Sequence, residues 1–342
     1  MSRLSHPPRQ SRIVYSGDTA IIVPRGSAKT ASNIAVVGKD PTVIIDTGRE
    51  RDPGLQIFSH ALKKMQINPD DIKTILITHA HIDHVEGLKQ LVKVMPAAIT
   101  WVCEGDLPSL FHPFWAMNSW KSLFREQNLP RFSFPVFKTL LYILDGTYQS
   151  KAIQELKVGI IRDEKSLVNM VGNNIQPIFT PGHSPGHICY LHENGDLFLG
   201  DMVPRTPWLD PGKGVLRHHM QSIQCLIDLP SNKVQRAVRS HVNIKEGARV
   251  FYPWEEERER FRIHLELIND SLERIPKMLK NRELSIHQLI PYVIVRDKPY
   301  LDIMSKVFID PGASWLAAYL EELQSQGSIH RAIKNGRVVW SA

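Results

Sequence analysis

The sequence predicts a layered α/β domain followed by a small helical appendage, and three observations predict it. Short β-branched runs alternate with helix-spaced segments, a dense group of imidazoles and carboxylates sits at the end of one such run, and the texture changes after Pro253. The runs 32–37 and 42–46 are separated by Gly38-Lys39-Asp40-Pro41, a hairpin signal closing at Asp46-Thr47-Gly48. Leu55, Ile57, Phe58, Ala61, Leu62 and Met65 recur at helical spacing, so 54–65 is predicted as a helix. A buried strand over 74–78 and a helix over 85–94 follow. Strand signals return at 178–180, 188–191 and 197–199, the last two joined by a turn at Glu193-Asn194-Gly195-Asp196, which predicts a meander. A helix over 220–228 and a short strand over 235–238 complete this part. Beyond Pro253, 254–279 reads as one long charged amphipathic helix with Ile263, Leu267, Leu272, Ile275 and Leu279 as its apolar stripe, suited to packing or to a homodimer. Shorter helices at 286–292 and 315–324 and a hairpin about Asn335-Gly336 give the appendage a winged-helix-like pattern.

The chain has 342 residues, 42% hydrophobic and 23% charged, enough apolar material for a substantial core. Cys103, Cys189 and Cys225 are far apart and form no CxxC pair, which excludes a disulfide framework and a thiolate zinc site. No apolar run approaches the ~20 residues of a membrane span. The tail 1–12 is polar and basic with no hydrophobic signal core, so a cytoplasmic location is expected. The formal charge is +7, and from Glu255 onward 13 acidic residues balance 13 basic ones. The excess therefore lies earlier, partly as Arg3, Arg9 and Arg12 in the tail, without a dense cluster. Such a diffuse balance argues against nucleic acid as the partner.

Thr78-His79-Ala80-His81-Ile82-Asp83-His84 carries the chemistry. Four candidate ligands within six residues, at the junction of a buried strand and a helix, are not explained by packing. Alternate side chains of such a loop diverge, so His79 and His81 can grip one cation while Asp83 and His84 grip a second. Nitrogen and oxygen donors at this spacing suit zinc, with iron or manganese as alternatives.

This HxHxDH motif after a strand resembles the signature of the metallo-β-lactamase superfamily. Thr180-Pro181-Gly182-His183 after a strand, Leu199-Gly200-Asp201 at the end of another and the early Asp46-Thr47-Gly48 extend the resemblance over about residues 13–250. The region after Pro253 is similar to the appendage of the β-lactamase-like protein 2 branch. The resemblance implies a four-layer αββα sandwich over 13–253, with a helical insertion at 106–148 and a small C-terminal helical, winged-helix-like domain over 254–342. It implies two divalent metal ions: His79, His81 and His183 on the first, Asp83, His84 and a last histidine on the second, and Asp201 bridging them. For that last position His241 is preferred to His218, His219 and His264, which lie in or beside predicted helices. Asp46 and His187 are read as supports that orient the ligands by hydrogen bonds.

Asp201 and Asp83 are then the catalytic carboxylates of a two-metal hydrolase, and no serine or cysteine nucleophile is needed. The insertion crowds Phe111, Phe114, Trp115, Met117 and Trp120 into a short stretch. These side chains form either a local core or a lid over a small-molecule substrate with an acyl or aromatic group, which favours a thioester or ester. A phosphodiesterase or ribonuclease, a non-enzymatic metal-binding regulator, and an iron-based persulfide oxygenase are the competing readings.

Overall fold

Successive side chains of a strand face opposite sides, and in this chain both sides of the central strands are apolar, so each sheet must be covered twice. The protein is described here from a computed structural model covering residues 11–24, 31–38, 41–49, 54–112, 155–167, 174–204, 214–243, 246–293 and 311–342. Elements are numbered among these residues. One sheet runs β1 (Arg12–Ser16), β2 (Thr19–Val23), β3 (Ile34–Val37), β4 (Val43–Ile45), β5 (Thr74–Leu76), β6 (Ile99–Cys103) and β7 (Val158–Ile161), in that spatial order. Its first four strands pair antiparallel and β4 to β7 parallel. The helix α1 (Gly54–Met65) links β4 to β5, α2 (Ile82–Val85) and α3 (Leu88–Val94) link β5 to β6, and α4 (Leu107–Phe111) follows β6.

The second sheet contains β8 (Ile175–Phe179), β9 (Ile188–His192), β10 (Asp196–Phe198), β11 (Arg236–Val238) and β12 (Phe251–Pro253), ordered β12-β11-β10-β9-β8. Between β10 and β11, which pair parallel, lies α5 (Val215–Ile227). Three apolar cores separate the layers. Ile21, Ala35 and Ile45 meet Ile188, Tyr190 and Phe198 between the sheets. Their strand neighbours Ile22, Ile34 and Ile44 pack with Phe58, Leu62 and Leu88 on the helix side of the first sheet. Cys189, Leu197 and Ala237 pack with Leu216, Ile223 and Phe261 behind the second. This is the αββα sandwich, with a C-terminal helical region added.

That region consists of α6 (Trp254–Leu279), α7 (Ile286–Val293), α8 (Pro311–Ser325) and a hairpin of β13 (His330–Lys334) and β14 (Arg337–Ser341). The core behind the second sheet continues without a break through α6 into Leu289, Leu316, Leu320 and Trp340. Glu321 on α8 accepts the Gly214 N–H at the start of α5 (3.0 Å), beside an Arg217–Glu322 ion pair (3.0 Å). Among the described residues no helix is long and apolar enough to cross a membrane.

Several elements differ from the sequence pattern: the helix expected over 220–228 is α5 (Val215–Ile227), and the strand expected over 74–78 ends at Leu76. The helix expected over 85–94 is two pieces, broken at Gly87. There the β4 turn crosses so closely that a Cβ would lie 2.0 Å from the Thr47 carbonyl oxygen. On α6 the stripe is rotated: Trp254, Phe261, His264, Ile268, Ile275 and Leu279 are buried, whereas Ile263 is 41% exposed. Counting apolar residues misplaces the face because the buried line also carries Glu257, His264 and Ser271.

Candidate metal centre

The chemistry-bearing side chains leave strand ends at one edge of the sandwich. Asp46 follows β4 with φ 57°, a left-handed conformation that Asp tolerates better than most residues. Its carboxylate accepts the Thr78 N–H (2.9 Å), the Thr78 hydroxyl (2.9 Å) and the Ser240 hydroxyl (3.3 Å), which hold the turn in place. It also accepts His84 Nδ1–H at 2.8 Å, leaving His84 Nε2 as the lone-pair nitrogen. The same Thr78 hydroxyl lies 3.1 Å from His79 Nδ1 and, having donated to Asp46, accepts its proton; His79 Nε2 is thereby freed. His187 Nε2 accepts the Asp201 backbone N–H (3.1 Å), so its Nδ1–H donates to Thr180 Oγ1 (2.8 Å). Gly200 stands behind this contact at φ 55°, where a Cβ would sit 2.6 Å from His187 Nε2.

Two donor sets result. His79 Nε2, His81 Nδ1 and His183 Nε2 lie 3.0 to 3.2 Å from one another. Next to them, His241 Nε2 is 3.3 Å from Asp83 Oδ2, and His84 completes the second group. Asp201 stands between: Oδ2 is 3.6 Å from His183 Nε2, while Oδ1 is 3.5 Å from His84 Nε2 and 3.4 Å from His241 Nε2. Donors at 2.0–2.2 Å from one tetrahedral ion are themselves about 3.3 Å apart, so both sets fit a small divalent cation. His84 Nε2, fully buried and with no hydrogen-bond partner among the described residues, aims into the second set 3.5 Å from Asp201 Oδ1 and supports that fit.

The electrostatics agree. Burial opposes charge on His84 and His241, yet Asp46, Asp201 and Asp83 raise the first well above its usual range, and Asp201 and Asp83 raise the second to about 9. Burial likewise works against charge on Asp83 and Asp201, but the surrounding imidazoles hold both below the usual carboxylate range. His79, buried among other imidazoles, is pushed well down and kept neutral as a ligand must be. This corner favours added positive charge.

The structure thus brings together His79, His81, Asp83, His84, His183, Asp201 and His241, with Asp46 and His187 behind them. His218 is exposed on α5, and His219 and His264 pack on each other (ring centroids 5.6 Å apart) and on Trp315. Phe111 ends α4 and packs half-buried against the helix-side core, whereas Phe114, Trp115, Met117 and Trp120 lie outside the described residues. Sequence reasoning assigned no role to Asp106, Asn33 and Ser240, which carry no pattern of their own, or to the Thr78 hydroxyl at the start of the histidine segment.

Both ring nitrogens of His219 are buried with no hydrogen-bond partner among the described residues, and burial, with His264 and His183, pushes the imidazole well below its usual range. The folded protein keeps it neutral, whereas the unfolded chain takes up a proton below about pH 6.5. Stability present above that pH is lost as pH falls. Between pH 7.5 and 5.5 the native chain should lose more stability than His219→Leu, measured by urea unfolding. Parallel pH profiles would contradict this.

Comparison with known proteins agrees with the fold. Residues 28–241 match the family model described as the metallo-beta-lactamase superfamily. The chain is 22% identical over 339 residues to the beta-lactamase-like protein 2 homolog of Drosophila melanogaster, covering 90% of this chain and 93% of that one. It is 26% identical over 148 residues to a hydroxyacylglutathione hydrolase of Francisella philomiragia, covering 43% of this chain and 39% of the relative. The crystal structure of a beta-lactamase domain protein from Burkholderia ambifaria superposes with a TM-score of 0.66 at 15% identity, over 96% of this chain and 93% of that one. The chain belongs to the metallo-β-lactamase superfamily and has the metal-binding fold of its hydrolases.

Proposed function

We propose that the protein is a two-metal hydrolase acting on a thioester or ester with a hydrophobic acyl or aromatic group. The observation that carries this reading is the division of Asp201, one oxygen toward His183 and the other toward His84 and His241. Two divalent ions, zinc in the first instance, would supply Lewis acidity and activate water at neutral pH. His79, His81 and His183 would hold one, and Asp83, His84 and His241 the other, with Asp201 shared. The imidazoles keep Asp201 and Asp83 ionised, so either carboxylate is able to accept a proton from the attacking water. Asp46 fixes the His84 tautomer, and His187 fixes the Asp201 backbone.

The thioester preference is supported by the similarity to a hydroxyacylglutathione hydrolase. The aromatic composition of 106–148 supports a hydrophobic group. Protein purified without added metal should contain two ions per chain. On a panel of an acyl thioester, an aryl ester, a lactone and bis-p-nitrophenyl phosphate, kcat/KM should favour the thioester or ester over the phosphodiester by at least about tenfold, or about 1.4 kcal/mol of transition-state discrimination. A preference for the phosphodiester, or no hydrolysis by metal-loaded protein, would overturn the proposal.

A further inference from the structure

Asp46 braces the second donor set through His84, and across the site a different buried carboxylate stands in the matching place. Asp106 lies in the tight turn after β6 and is 1% exposed. Its Oδ2 accepts the Ala80 N–H (2.9 Å) and the Ser184 hydroxyl (2.7 Å), and its Oδ1 accepts the Gly186 N–H (2.7 Å). Ala80 separates His79 from His81, and Ser184 follows His183. One side chain therefore joins the two backbone segments that present the three nitrogens of the first set, segments that come from different sheets.

The packing around it is built for that contact. A Cβ on Gly186 would lie 2.5 Å from the Asp106 nitrogen, and one on Gly105 would lie 3.0 Å from the Pro185–Gly186 backbone. Glycine at both positions lets the two turns approach closely enough for a carboxylate to span them. All three partners donate, so an ionised carboxylate satisfies each, whereas an amide turns N–H groups toward at least one other N–H.

The geometry points to Asp106 as a positioning residue for the first metal, the clamp that sets the His79–His81 segment against His183. This inference rests on the two-metal reading. It predicts an effect confined to one half of the centre, which a general packing role would not produce.

The test measures zinc binding by competition with a chromophoric chelator. In His241→Ala, where the second set is broken, adding Asp106→Asn should weaken the remaining zinc about 10–100-fold, as loss of a ligand-orienting group does. In His183→Ala, where the first set is broken, the same substitution should change affinity less than about threefold. Ser184→Ala, which deletes one of the three hydrogen bonds and nothing else, gives the same test in a chain certain to be less perturbed if Asp106→Asn does not fold. It should weaken zinc severalfold in the His241→Ala background and leave the His183→Ala background unchanged. Equal losses in the two backgrounds, or unchanged affinity in the first, would overturn the clamp while leaving the two-metal reading intact. Failure of the otherwise native chain to bind a second zinc would overturn both.

Discussion

Asp201→Ala should lower turnover by roughly 10²–10⁴-fold, the range for removal of a positioned proton acceptor, and should also release at least one of two bound ions. The two losses come together because the same carboxylate faces both donor sets at 3.4 to 3.6 Å. The fold should survive. The Asp201 side chain is 19% exposed, and its bond to His187 is made by the backbone N–H, which alanine keeps. Metal analysis beside steady-state kinetics reads both effects. Native turnover with two ions retained would remove Asp201 from the centre.

The second large effect is expected behind the site. Arg239 and Glu257 form a bidentate pair (2.7 and 2.6 Å) whose side chains are 9% and 0% exposed, and the guanidinium also stacks 4.0 Å from the Tyr252 ring centre. Arg239→Met leaves the Glu257 charge buried without this partner and should cost about 3–5 kcal/mol, measured as a lowered urea midpoint. Arg239→Met combined with Glu257→Leu removes both charges and should recover most of that loss. The consequences reach the metal centre, because the Arg239 and Ser240 carbonyls accept from Asn33 (2.9 and 2.6 Å) just before His241. A single substitution that leaves the midpoint unchanged would contradict this account.

How much of this could be read beforehand follows from distance along the chain. The bounds expected for α1 and α6, 54–65 and 254–279, are those observed, because each helix advertises itself by the period of its own residues. His79, His81, Asp83 and His84 were equally legible, being neighbours in one segment. His241 had competitors because its partners lie far off in sequence and the fold alone decides which histidine arrives. Asp106 was not legible at all. A carboxylate after a glycine is ordinary at a turn, and its meaning depends on a loop of the other sheet lying against it. The break at Gly87 has the same origin, since local periodicity favours an unbroken helix and a crossing backbone forbids one.

The donor groups are shared between the two sheets: His79, His81, Asp83 and His84 follow β5, whereas His183, Asp201 and His241 follow β8, β10 and β11. The core between those sheets is aliphatic and aromatic, and its attraction carries little direction, whereas coordination of an ion is directional. Cations seated between the two groups would act as a rivet at one rim of the sandwich, adding to the hydrogen bonds that already tie the layers there, such as Ile188 N–H to the Thr78 carbonyl (2.8 Å) and Asn33 N–H to the Ser240 carbonyl (2.6 Å). Accuracy at the reacting edge would then be a property of the assembled halves together, with neither sheet able to supply it separately.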